Sequence, residues 1–119
     1  MKLLVKGGRV IDPASGRDAV GDVLIEDGRV VALDADAKGA VAERVIEAAG
    51  LVVAPGLIDI CARLREPGYE YKATLESEMD AAVAGGVTSL ACPPDTDPPL
   101  DEPGLVEMLR RRAKALSRA

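Results

Sequence analysis

The chain contains no histidine. Imidazole is the commonest side-chain acid–base and metal ligand near neutral pH. Its absence excludes Ser-His and Cys-His nucleophile designs and every zinc site that needs a ring nitrogen. Phe and Trp are missing too, leaving Tyr69 and Tyr71 as the only aromatic residues. A core must therefore be built from Val, Leu, Ile and Ala, without the bulky rings that contribute most buried area. Two cysteines, Cys61 and Cys92, do not make a disulfide framework. No apolar run approaches the roughly 20 residues that cross a bilayer. The opening Lys2-Leu3-Leu4-Val5-Lys6-Gly7-Gly8 is broken too soon for a secretory leader. Basic residues are in deficit, 15 against 20 acids for a net charge of −5, which argues against nucleic acid as a primary partner. These absences describe a cytoplasmic protein with no membrane partner, and 119 residues suit a single domain in length.

What is present changes character along the chain, and the expected boundary separates 1–56 from 57–119. The first part reads as short strands and turns. Leu3-Leu4-Val5-Lys6 stops at Gly7-Gly8, and Arg9-Val10-Ile11 stops at Asp12-Pro13-Ala14-Ser15-Gly16, a turn well supplied with Asp, Pro and Gly. Val20 to Glu26 and Arg29 to Leu33 flank Asp27-Gly28, a hairpin signal. Asp34 to Glu43 is polar and Ala-rich and reads as loop. Arg44-Val45-Ile46-Glu47 and Leu51-Val52-Val53 follow as further strands. The expectation is a small sheet or half-sandwich.

From Leu57 the pattern becomes strand, helix, strand, helix. Leu57 to Arg63 reads as the first strand. Leu75, Met79, Ala82 and Val83 fall at helical spacing, and Gly85-Gly86 ends that helix. Because this Gly pair follows a helix and precedes a strand, it is a helix stop and not a phosphate loop. Val87 to Ala91 is the second strand. Pro103 opens a last helix whose apolar face holds Leu105, Leu109, Arg112 or Ala113, and Leu116. Arg110, Arg111, Arg112, Lys114 and Arg118 crowd its C-terminal half, where cations suit the negative end of the helix dipole. Such alternation points to parallel strands joined by crossover helices. Two βα units cannot close an eight-stranded barrel, which takes about 200 residues or more. Raw strand edges then favour self-association.

The chemistry-bearing stretch is Asp59-Ile60-Cys61-Ala62-Arg63-Leu64-Arg65. Strand alternation would put Asp59, Cys61, Arg63 and Arg65 on one face and Ile60 and Leu64 on the other. Cys61 can ligate as a thiolate. Arg63 cannot, because its guanidinium has no free lone pair. A set of Asp59, Cys61, Cys92 and Asp95 has plausible donor atoms but no zinc-signature spacing, so structural thiols are the preferred reading. Asp95 is expected to pair internally with Arg63 or Arg65.

These residues carry a resemblance. The chain resembles the N-terminal part of dihydroorotases, cyclic amidohydrolases on a metal-dependent (β/α)8 barrel. Where that family has Asp-x-His-x-His-x-Arg-x-Pro-Gly, this chain has Asp59-Ile60-Cys61-Ala62-Arg63-Leu64-Arg65-Glu66-Pro67-Gly68. Where the family has Pro-Asn-Thr-x-Pro, this chain has Pro94-Asp95-Thr96-Asp97-Pro98. The lead-in Ala54 to Asp59 and the junction Ala84-Gly85-Gly86-Val87-Thr88 also match. The resemblance implies an α/β chain comprising a small N-terminal β-sheet and the first two βα units of an incomplete amidohydrolase-type barrel. It implies that Arg65 and Asp95 occupy the positions that hold the substrate carboxylate. The family's zinc-binding histidines are replaced by Cys61 and Arg63, so no metal, cofactor or catalytic residue is expected here. That pattern looks like the non-catalytic dihydroorotase-like subunits that accompany aspartate carbamoyltransferase in pyrimidine biosynthesis. Two alternatives stand beside it: a fragment of an active or residually active dihydroorotase, and a truncated product with no settled role.

Overall fold

The computed structural model describes residues 1–116; Arg118, assigned above to the last helix, lies outside them. The chain divides into two compact units, Met1–Pro55 and the part from Gly56 onward.

The first unit is a sheet. Strands β1 (Lys2–Asp12), β2 (Arg17–Glu26), β3 (Arg29–Leu33) and β4 (Arg44–Glu47) lie in the order β3-β2-β1-β4, and β5 (Val52–Val53) pairs with β1 beyond β4. β1 and β2 are antiparallel, whereas β4 and β5 run parallel to β1. The expected break at Gly7-Gly8 is not a break: β1 runs through it as one strand. The pairs Val5↔Val23 and Gly8↔Gly21 show one extra residue in β1. Gly7 takes a positive φ of 71° there, and its N–H donates to Asp22 Oδ1 at 2.8 Å. Glycine permits this kink without ending the ladder. The expected turns form. Asp12 accepts from Ala14 N and Ser15 Oγ, and Asp27 and Gly28 both take positive φ, the conformation a two-residue hairpin needs. The stretch expected as loop after β3 starts with a 3-10 turn, Asp34–Asp36, and it packs Ala37 against Leu4 and Leu24. On the other side of the sheet Val10, Val23, Ile25, Val30 and Leu33 line an apolar groove. Val10 and Val23 are buried in that groove, whereas Val30 at its edge is exposed.

The second unit alternates β6 (Leu57–Asp59), α1 (Leu75–Ala84), β7 (Val87–Leu90) and α2 (Pro103–Leu116), with β6 and β7 parallel. Thr74 caps α1 reciprocally with Ser77, each side chain serving the other's backbone N–H at 3.2 and 3.1 Å. Ala62, Leu64, Leu75 and Leu109 form the core, joined by Met79, Leu90, Cys92, Leu100, Ala113 and Leu116. Val83, expected on the buried face of α1, is mostly exposed. Eight residues after Leu75 it sits about 80° round the helix at 3.6 residues per turn, outside the stripe that holds Met79. β6 also corrects an expectation, since it ends at Asp59 and not at Arg63.

Candidate functional site

The site lies where the chain leaves β6 and β7. Ala91 N–H donates to Asp59 O at 2.8 Å, and Ala62 N–H donates to Ala91 O at 3.0 Å. Ile60 and Cys61 together therefore span a single partner residue, as in a bulge. Asp59 Oδ1 accepts from Cys61 N at 2.9 Å, supplying the backbone bond that the ladder no longer provides. The consequence for side chains is direct. Ile60 and Cys61 are both exposed, and only then does alternation resume, with Ala62, Leu64 and Glu66 buried and Arg63 exposed. The expected single face of Asp59, Cys61, Arg63 and Arg65 opposite Ile60 is thus broken at its start.

Arg63 and Asp95 are brought together, with Arg63 Nε 2.6 Å from Asp95 Oδ2 and both side chains about half exposed. The hydrogen bond to Arg63 holds the Asp95 carboxyl below the usual aspartate range, with the charges of Arg63 and Arg65 acting in the same direction. Asp95 in turn raises the Arg63 guanidinium, helped by the nearby Cys61. Arg65 sits at φ 65° and is partly buried. With Arg63, Asp95, Tyr69, Cys92 and Thr96 it lines a cleft of about 10 Å³, room for about one water. Cys92 is half-buried against the core, and burial pushes its thiol up, towards the protonated form.

The donor chemistry does not fit a metal of the kind the resemblance implies. Asp59 is turned onto Cys61 N, Asp95 is held by a cation, Cys92 packs against apolar side chains, and Arg63 offers no lone pair. Among the described residues no three His, Cys, Asp or Glu side chains converge. Asp59, Cys61, Cys92 and Asp95 are therefore not one ligand set.

Sequence reasoning passed over Glu66. It is the buried charged residue among the described residues of this unit. Its Oε2 accepts from Leu75 N at 2.8 Å, at the N-terminus of α1, and its Oε1 pairs with Arg112 of α2. Arg112, read as a candidate for the apolar face of α2, is instead the cation that reaches back to this carboxylate. The signal was an acid at an inward position after Ala62 and Leu64, because a buried carboxylate needs donors and a helix N-terminus is a source of them.

Residues 50–119 match the dihydro-orotase-like family. A dihydroorotase-like protein of Pseudomonas aeruginosa is 50% identical over 119 residues, which cover 100% of this chain and 28% of that protein. A dihydroorotase of Syntrophus aciditrophicus is 48% identical over 116 residues, 96% of this chain and 27% of that one. Among solved structures, the L-hydantoinase (dihydropyrimidinase) of Arthrobacter aurescens superposes with TM-score 0.79 at 28% identity, covering 93% of this chain and 24% of that one. The chain thus spans about a quarter of the length of the relatives it matches. The fold is mixed α/β with an N-terminal sheet, similar to enzymes of the amidohydrolase barrel type.

Proposed function

The chain belongs to the dihydro-orotase-like family, and from that premise we propose that it serves pyrimidine biosynthesis as a non-catalytic, dihydroorotase-like structural component working alongside aspartate carbamoyltransferase. One observation carries the reading: the Arg63 guanidinium lies 2.6 Å from Asp95 at the mouth of β6 and β7. Activating water for attack on a cyclic amide takes a Lewis acid held by lone-pair donors. A fixed guanidinium supplies neither the lone pair nor the open coordination position. Arg65 retains a fork suited to a carboxylate, while Asp95, ionised and committed to Arg63, would repel one. The cleft beside this half-exposed ion pair holds about 10 Å³, little room for a substrate. Exposed Leu57 and Ile58 on β6 give a partner chain or a second copy an apolar strand to meet.

The test is to purify the whole protein with and without co-expressed aspartate carbamoyltransferase and to assay dihydroorotate hydrolysis. The expected result is co-elution of the two proteins and no hydrolysis. Hydrolysis by the purified protein overturns the reading in favour of an active dihydroorotase with substituted ligands. That second reading has its own support, since a relative named dihydroorotase is nearly as similar as one named dihydroorotase-like, 48% against 50%.

A further inference from the structure

The residues at the mouth of β6 and β7 disagree with a metal site, and that disagreement has structural content. Two loops meet there, one running from Ile60 to Thr74 and one from Ala91 to Glu102. Backbone bonds stitch them at their roots and again further out, where Asp97 N–H donates to Pro67 O at 3.1 Å. Gly68 allows that outer approach, since a Cβ there would stand 2.2 Å from Asp97 O. Between the two stitches the side-chain tie is Arg63 to Asp95. An ion bridging these loops would need the lone pairs of Asp95 and Cys61. Arg63 already holds the first, through the 2.6 Å bond from its Nε to Asp95 Oδ2.

We propose that Arg63 is a built-in cation that clasps the two loops and leaves this region indifferent to divalent metal. The inference rests on the reading above only for the choice of metal to be excluded, and it adds that the cation is a positive structural element and not merely a lost ligand. Its chemistry is simple. A guanidinium directs a short, aligned hydrogen bond at a carboxylate, whereas an ion held by the same loops would demand several convergent donors.

The test uses the full chain and zinc chloride or EDTA as probes. The thermal midpoint of the unaltered protein is expected to be the same with excess zinc chloride, with EDTA and with neither. Arg63→Gln and Asp95→Asn should each lower it, and the double variant should fall no further than the worse single, since both remove the same clasp. Exchange of the pair, Arg63→Asp with Asp95→Arg, should recover part of the loss. A midpoint raised by zinc, or single losses that simply add, overturns the proposal, and the zinc measurement needs no variant to fold. The outcomes separate the two claims. Dihydroorotate hydrolysis with a zinc-insensitive midpoint removes the non-catalytic reading and leaves the clasp. A zinc-raised midpoint without hydrolysis does the reverse.

Discussion

Glu66 offers the sharpest test of how the second unit is held together. Its side chain is 4% exposed, yet it carries a charge between Leu75 N–H and Arg112. Glu66→Ala removes the acceptor for a buried N–H at the start of α1, which costs about 1–3 kcal/mol. The Arg112 end is worth less, because that guanidinium is 52% exposed and water can take over, so about 0–1 kcal/mol is at stake. The expected total is about 1–4 kcal/mol. Glu66→Gln keeps a carbonyl oxygen for Leu75 N–H and loses only the charge facing Arg112, so its cost should stay near 1 kcal/mol or below. Urea unfolding followed by circular dichroism measures both. Hydrogen exchange at the Leu75 amide reports the specific bond, with protection lost in the alanine variant and largely kept in the glutamine variant. If Gln proves as damaging as Ala, the Arg112 pair dominates and the helix-start argument is wrong. If neither changes stability, the carboxylate is not held as described.

Three further outcomes are expected. Leu75 is fully buried at 0% exposure, so Leu75→Ala should cost about 2–5 kcal/mol in urea unfolding, whereas Val83→Ala on the exposed side of α1 should be close to neutral. Gly68→Ala should destabilise more than Gly16→Ala: both have positive φ, but only at Gly68 would the new methyl collide with the Asp97 carbonyl, and at Gly16 it meets nothing within 4 Å. The Arg9 hydrogen bond holds the Asp18 carboxyl below its usual range, so the stability it adds is present above the unfolded aspartate pKa of about 3.9. That contribution is lost as pH falls through the lower folded value. The difference between the unaltered protein and Asp18→Asn, read by thermal unfolding across pH, should therefore be flat near neutrality and vanish at the acid end. A difference that persists there refutes the assignment.

Much of the architecture was legible because it is written in local terms. Asp12 to Gly16 and Asp27-Gly28 make turns out of their own side chains and backbone freedom, and Gly85-Gly86 and Pro103 mark helix limits for the same reason. The kink at Gly7 was read as a strand end because a glycine pair looks alike in a break and in a bulge. The difference lies in Asp22, fifteen residues away, which captures Gly7 N–H. The candidate site was legible as a set of residue types and not as a geometry. Alternation from Asp59 to Arg65 assumed an unbroken ladder. Asp59 instead caps Cys61 N, and that local competition between side chain and backbone shifts the register by one residue.

Residue chemistry alone therefore determined what this chain is unable to offer, namely an imidazole ligand or a lone pair at Arg63, because those are properties of single side chains wherever they stand. Motif order alone carried the family. Tertiary structure decided the partners: that Asp95 faces Arg63 across 32 residues, that Arg112 leaves the apolar stripe for Glu66, and that Cys61 and Cys92 part company, one exposed and one half-buried. Such choices depend on which groups are left unsatisfied after the strands pair and the helices dock, and no local pattern records that balance.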